Sequence, residues 1–155
     1  MELADILAVE SVLVCDKVKD KAELLQRLAD HAARINGLDS RTVYETLVAR
    51  ESLGSTGLGN GIAIPHGKLP GLGGVVATFV RLGRPVEFDS VDDHPVDLAF
   101  MLLAPIGAGA DHLKALARVA RLLRTDSLVE RLRATVEPQA LYDLLTTAMP
   151  SQNAA

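Results

Sequence analysis

The chain has 155 residues, of which 48% are hydrophobic and 23% charged, a balance typical of one compact globular domain. Its formal net charge is −4 and neither half carries a basic excess, which argues against nucleic acid and anionic membranes as partners. The few aromatic residues, three Phe and two Tyr with no Trp, argue against platforms for stacking bases or sugars.

Two amphipathic helices are predicted in the first third of the chain. Asp20 to Glu23 has the spacing of a capping box, and Gly37 is a helix-ending residue. Between them, one helical face carries Leu24, Leu28, His31 and Ile35. Asp39 or Ser40 caps a second helix, whose last turn carries Arg50 beside a glycine-rich loop.

The middle of the chain predicts β-strands. Ile62–Ile64 is long enough only for a short strand, and we expect Pro65 to end it and to leave His66 and Gly67 in the following turn. Longer runs that are β-branched and apolar on both faces predict central strands covered on both sides. These runs are 75–82 and 96–103, with 86–88 as a further short candidate.

Helical periodicity returns in the last third, with helices starting at Asp111, near Asp126 and at Glu137. The predicted order is therefore two helices, then strands, then three helices. This order favours one α/β domain in which helix layers enclose a mixed sheet. Residues 151–155 are expected to form a frayed tail.

The start of the chain and its cysteine content indicate a cytoplasmic protein. Residues 1–10 carry acids where a secretion signal needs basic and apolar blocks, and the single Cys15 cannot form an intrachain disulfide. The most apolar run, 96–106, is interrupted by Asp97 and Pro105 and is about half as long as a membrane helix. We expect no insertion into a membrane.

Eight of the twelve glycines lie between Gly54 and Gly74. The G-x-G spacing in this segment follows a helix and precedes a strand, which is the reverse of the order in nucleotide-binding loops. The loop could offer backbone N–H groups to an anion or admit a protein partner closely, and it could also be a plain connection.

His66 stands between Pro65, which restricts the incoming backbone, and Gly67, which imposes no side chain; Lys68 is a possible charge partner. A neutral imidazole has one nitrogen that can attack phosphorus while a hydrogen bond anchors the other. The alternative is a turn histidine without a role, and the local context leaves both interpretations open.

His112 and Arg50 are ambiguous when each is taken alone. His112 follows the flexible segment 107–110 at a helix start, where anions are favoured, but histidines without a function also occur there. Arg50 is placed to reach an anion at the glycine loop, and its guanidinium fits phosphoryl oxygens, although most arginines are simply solvated.

Other candidate sites are weaker. His31 is expected to pack at the margin of the first helix, and His94 to be exposed in an acidic turn. No two histidines lie three or four residues apart and no cysteine pair exists, so zinc has no local ligand pair. The G-x-S-x-G elbow of a serine hydrolase is also absent from the sequence.

Residues 50–68, RESLGSTGLGNGIAIPHGK, resemble the signature of the fructose/mannitol-type enzyme IIA domains of the bacterial phosphoenolpyruvate-dependent phosphotransferase system, in particular their nitrogen-regulatory branch. The resemblance covers nearly the whole chain, including the strand at 97–105 and the helix start at Asp111–Leu113. It implies a single type-2 IIA domain over 1–150 with a flexible tail at 151–155. The implied fold is a three-layer α/β sandwich with a mixed sheet of about five strands between helices.

The resemblance also implies the roles of three residues. His66 would accept a phosphoryl group from a small histidine phosphocarrier protein and become a tele-phosphohistidine. His112 would be a second active-site histidine that orients the phosphoryl group or its acceptor, and Arg50 would steady the phosphoryl charge. The family's transfer between histidines uses no metal or other cofactor.

Two functions are consistent with this resemblance. In the first, the chain is a phosphorylated regulator whose two states bind different partners, such as transporters or sensor kinases. In the second, it is a sugar-transport subunit that passes its phosphoryl group to a cognate IIB domain. The nitrogen-type motif favours the first, and whether the chain is an enzyme or only a regulatory carrier stays open. An interaction module without phosphorylation would require His66 to be incidental.

Overall fold

Six strands form one mixed sheet in the computed structural model, which describes residues 2–147. They are β1 (Val12–Cys15), β2 (Gly57–Gly59), β3 (Ile62–Ala63), β4 (His66–Leu69), β5 (Val76–Val86) and β6 (Val96–Pro105). The order across the sheet is β1-β5-β6-β3-β2, and β4 also pairs with β6. The long central strands β5 and β6 are antiparallel, whereas β1, β3 and β4 run parallel to their central neighbours.

Helices cover both faces of the sheet. They are α1 (Lys21–Asn36), α2 (Ser40–Glu51), α3 (Gly109–Leu122), α4 (Asp126–Arg133) and α5 (Pro138–Thr147). Alternate residues of β6 enter different cores, because successive side chains of a strand point to opposite faces. Phe100 packs with α3, α4 and α5, whereas Met101 packs with α1 and α2. The predicted three-layer α/β sandwich is confirmed.

The predicted helix signals lie where the helices begin and end. Asp20 accepts a hydrogen bond from the N–H of Glu23 at 2.9 Å and caps α1, which ends at Gly37 in the left-handed conformation with φ 67°. Asp39 accepts from the N–H of Thr42 at 3.0 Å and caps α2. Arg50 therefore lies on the last turn of α2, as expected.

The short strand β3 ends before Pro65, as expected, but the expectation that His66 and Gly67 lie in a turn was wrong. His66 and Gly67 belong to β4, and β3 and β4 pair with β6 in one continuous register, with Ala63 opposite Ala99 and His66 opposite Leu102. Pro65 lacks an N–H, but its carbonyl still accepts a hydrogen bond from the N–H of Leu102 at 3.0 Å. Together β3 and β4 occupy a single place across the sheet, which accounts for the expected count of about five.

Two further strands were not anticipated. β1 precedes α1, so the predicted order with helices first was wrong; a four-residue apolar run is too short for its periodicity to identify it. β2 occupies part of the predicted glycine loop and pairs with β3 through a two-residue turn at Asn60 and Gly61. Both turn residues have positive φ, 61° and 81°, as a tight type I′ hairpin requires.

The remaining expectations concern the ends of elements. The separate short strand predicted at 86–88 is replaced by β5, which continues to Val86. The predicted tail at 151–155 lies outside the described residues. Among residues 2–147, no helix has the length and apolar character needed to cross a membrane.

We predict that Gly61→Ala destabilises the fold by about 1–3 kcal/mol. Gly61 has φ +81°, and an added Cβ would lie 2.5 Å from Nη2 of Arg133 and 3.4 Å from the carbonyl oxygen of Pro95. Urea unfolding measures the change. The matched control is Gly73→Ala, because a Cβ at Gly73 would meet nothing within 4 Å. Equal stability of the two variants would contradict the prediction.

Candidate functional site

The structure brings Arg50, His66 and His112 together from three different elements. Arg50 lies on the last turn of α2, His66 begins β4, and His112 lies in the first turn of α3. Nε of Arg50 lies 3.3 Å from Nε2 of His66. The two imidazole rings have centroids 5.6 Å apart and cross at 70°. The three candidate residues of the sequence therefore form one cluster.

The hydrogen bonds of His66 define its neutral tautomer. Its Nδ1 lies 2.8 Å from the carbonyl oxygen of Ile64, which only accepts, so Nδ1 carries the proton and donates it. Nε2 then holds a lone pair, which accepts the hydrogen bond from Nε of Arg50. The unprotonated Nε2 faces the cluster and is the nucleophilic atom of the ring.

The surroundings of His66 favour the neutral ring. Burial lowers the pKa of His66 below its usual value, and the nearby Arg50 charge lowers it further. The Ile64 carbonyl and the negative charge of Glu51 oppose this shift in pKa but do not cancel it. Near neutral pH the ring therefore keeps the Nε2 lone pair that a nucleophile needs.

His112 is the more deeply buried of the two histidines. It is 6% exposed, and its Nε2 has no hydrogen-bond partner among residues 2–147. Burial lowers the pKa of His112, and the positive charges of His66 in its protonated form and of Lys68 lower it further. An unpartnered buried ring nitrogen is costly, so a polar group that reached this atom would be stabilised by it.

A cleft of about 290 Å³ opens beside His66. Its lining residues are Arg50, Ser55, Thr56, Gly57, Leu58, Ile64, His66, Leu116 and Ala120. Arg50 is held at the edge by a hydrogen bond from Nη1 to the carbonyl oxygen of Gly54 at 2.9 Å. Helix α3 forms the second edge of the cleft. Its N-cap residue is Ala108, whose side chain makes no hydrogen bond to the N–H groups of the first helical turn.

The glycine-rich segment does not present all its N–H groups to the cleft. The N–H of Thr56 donates to Glu51 at 3.1 Å, and that of Gly57 donates to the Ser55 hydroxyl at 3.1 Å. Gly57 also lies so close to Ser90 that an added Cβ would be 2.3 Å from its Oγ. The glycines at 57–61 therefore serve the hairpin and its close packing.

Sequence reasoning missed Glu51 and its partner Lys21. The Glu51 side chain is 5% exposed; it accepts from the N–H and hydroxyl of Thr56 and pairs with Nζ of Lys21 at 3.0 Å. One signal was available, because an acid at a helix C-terminus opposes the helix dipole and needs another partner. Nothing in the sequence identified that partner as the hairpin.

The other histidines lie outside the cluster, as expected. His31 is 8% exposed, and its Nε2 lies 2.6 Å from the carbonyl oxygen of Glu10. His94 is exposed, with Nδ1 3.4 Å from Oδ2 of Asp92. Within residues 2–147, no group of three His, Cys, Asp or Glu side chains is placed to hold a metal ion.

Comparisons of the sequence and of the structure with known proteins agree on one family. The family described as "Phosphoenolpyruvate-dependent sugar phosphotransferase system, EIIA 2" matches residues 5–148. A "Nitrogen regulatory protein" of Bradyrhizobium diazoefficiens is 52% identical over 155 residues, 100% of each chain. One of Klebsiella oxytoca is 40% identical over 149 residues, 96% of this chain and 92% of the other. The crystal structure of nitrogen regulatory protein IIA-Ntr from Neisseria meningitidis is 35% identical, has a TM-score of 0.88, and covers 93% of this chain and 99% of its own.

We predict that Arg50→Gln raises the pKa of His66, because it removes a positive charge that disfavours the imidazolium. A titration of the histidine ¹⁵N and ¹³C resonances by NMR measures the shift. Arg41→Gln is the matched control on the same helix, since Arg41 is 85% exposed and pairs with Glu45. A pKa of His66 that falls or stays constant in Arg50→Gln would contradict the prediction.

Proposed function

The chain belongs to the EIIA 2 family of the phosphoenolpyruvate-dependent sugar phosphotransferase system, and on that premise we propose that Nε2 of His66 accepts a phosphoryl group from a histidine phosphocarrier protein. The observation that carries the proposal is the pair of hydrogen bonds on His66. One fixes the proton on Nδ1 through Ile64, and the other directs the Arg50 guanidinium at the Nε2 lone pair.

The transfer is an in-line displacement at phosphorus. The Nε2 lone pair forms the new N–P bond as the N–P bond of the donor phosphohistidine breaks, and that electron pair stays on the donor nitrogen. His66 need not release a proton first, because its ring proton is on Nδ1. The hydrogen bond to the Ile64 carbonyl stabilises the positive charge that develops on the phosphorylated ring.

Arg50 and His112 flank the position where the phosphoryl oxygens arrive. The guanidinium of Arg50 exchanges its contact with Nε2 for contacts with these oxygens, and its charge offsets theirs in the transition state. In the tautomer with its proton on Nε2, His112 donates a hydrogen bond from this otherwise unpartnered atom to an oxygen of the same group. Neither residue needs a metal ion or cofactor for these roles.

The phosphocarrier reaches His66 across a surface that includes exposed apolar side chains. Leu53 follows α2 three residues after Arg50 and is 83% exposed, and Leu113 adjoins His112 and is 68% exposed. Exposed large apolar residues beside a reactive group are typical of a protein-binding surface. The partner that donates or receives the phosphoryl group is therefore a protein that covers both edges of the cleft.

Regulation follows from the charge that the phosphoryl group adds. At pH 7 it brings about two negative charges to a surface that otherwise presents Arg50 and neutral imidazoles. Target proteins, such as transporters or sensor kinases, distinguish the two forms by this change. The nitrogen regulatory relatives, similar over essentially the whole chain, do not favour the alternative of a sugar-transport subunit that donates to a IIB domain.

We predict that phosphoenolpyruvate, enzyme I and the phosphocarrier add about 80 Da to the wild-type chain and that acid removes it, as for a phosphohistidine. Intact-mass measurement at neutral pH follows both steps. The His66→Ala variant should gain nothing. The site assignment is wrong if that variant gains the same acid-labile mass, and the proposed function is wrong if the wild type gains none from an active donor.

His112→Ala separates acceptance from onward transfer. This variant keeps Nε2 of His66 and should still accept the phosphoryl group, but more slowly. Onward transfer from the loaded protein should fall further, because the phosphoryl oxygens lose a partner. The His94→Ala variant is the control for loss of a histidine outside the cluster. Full onward activity in His112→Ala would remove His112 from the mechanism.

A further inference from the structure

We propose that Glu51, paired with Lys21, is a positioning residue that holds His66 with its Nε2 lone pair toward the cleft. The inference rests on the proposed function of His66. It concerns a buried carboxylate that lies behind the cleft and touches none of the reacting atoms.

A continuous set of hydrogen bonds links Glu51 to His66. The N–H and hydroxyl of Thr56 both donate to the Glu51 carboxylate. The carbonyl of Thr56 accepts from the N–H of Ile64 at 3.1 Å, and the carbonyl of Ile64 accepts from Nδ1 of His66 at 2.8 Å. The orientation of Ile64, and with it the tautomer of His66, is therefore tied to the carboxylate.

Lys21 holds the Glu51 carboxylate in one position. Its Nζ lies 3.0 Å from Oε1 of Glu51, donates to the carbonyl oxygen of Phe88 at 3.3 Å, and lies 4.3 Å from the centre of the Phe88 ring. The Ser55 hydroxyl donates to the same Phe88 carbonyl at 3.0 Å. The ion pair thus joins α1, α2, the loop before β2 and the loop after β5.

Fold stability alone does not account for this ion pair. Desolvation of two charges largely offsets their attraction, so a buried pair adds little net stability over apolar residues of similar size. Its directional bonds, in contrast, restrict geometry. Glu51 also adjoins Arg50 in sequence, so the same carboxylate ties the helix end that carries Arg50 to the hairpin strand that leads toward His66.

The first test uses Glu51→Gln, which removes the charge and keeps the shape. Histidine ¹⁵N shifts should show His66 divided between its two neutral tautomers, whereas the wild type holds the proton on Nδ1. The pKa of His66 should fall, since a nearby negative charge is lost. The rate constant for phosphoryl transfer should fall about 10- to 100-fold, as small misplacements of reacting groups do, while the apparent KM for the phosphocarrier changes less than about threefold.

Arg133→Gln is the matched control. Arg133 holds the tip of the same hairpin through the Asn60 carbonyl and Asp97, and none of its bonds involves Thr56, Ile64 or His66. This variant should lose stability but keep the wild-type tautomer of His66. Equal tautomer shifts in both variants would show that Glu51 acts only through general stability and would overturn the proposal.

A second pair of variants covers the case in which Glu51→Gln does not fold. Thr56→Val deletes the hydroxyl bond to Glu51 and should slow transfer about 3- to 10-fold with a partial tautomer shift, whereas Thr56→Ser keeps the bond and should behave as the wild type. Identical rates and ¹⁵N shifts for these two variants would overturn the proposal. The tautomer measurement needs no phosphoryl donor, so it tests Glu51 even if the proposed function of His66 fails.

Discussion

The hydrogen bond from Nδ1 of His66 to the carbonyl of Ile64 is the interaction on which the site depends. The N–H and C=O of a strand residue point to the same side, and those of Ile64 point toward β2, where Thr56 takes the N–H. β2 pairs only as far as Ala63, so the Ile64 carbonyl has no strand partner and is left for the imidazole. Pro65 bonds on the opposite side, to β6, and keeps the strand in register.

The approach of α2 to β4 then sets the position of Arg50. A Cβ on Gly67 would lie 2.5 Å from Cγ2 of Thr46, so the absence of a side chain lets the helix pack closely on this strand. Arg50 is one helical turn beyond Thr46 and therefore extends past the edge of the sheet toward His66. The side chain of His66 points to the opposite face of the sheet from Gly67, the face that Ile62 and Ile64 also occupy. Helix α3 packs on this face and brings His112 beside His66.

The sequence was most informative where one residue has one physical role. Asp20, Gly37 and Asp39 lie at the ends of helices as predicted, because caps are local interactions. The sequence was least informative where a segment becomes a strand only because it pairs with a neighbouring strand. β4 exists because β6 offers a continuous register, and β2 because a turn with two positive φ values closes a hairpin; neither shows in local apolar patterns.

The candidate site shows the same division. Arg50, His66 and His112 were selected by residue type, by neighbouring proline and glycine, and by resemblance to a family, and the structure places them together. Glu51 was missed because its partners lie 5 residues ahead and 30 residues behind it in the chain. A buried acid is recognised only when the fold shows what surrounds it.

The contact between Arg50 and His66 explains how one site can hold both a nucleophile and a binding group for anions. An unprotected lone pair in a half-buried ring would be costly, and a guanidinium without an acceptor would be costly as well. In the structure each satisfies the other. On the proposed function, an incoming phosphoryl group takes over both contacts at once: the lone pair becomes the N–P bond and the guanidinium turns to the oxygens. Little reorganisation is then needed to pass between the two states, which is what a reversible carrier requires.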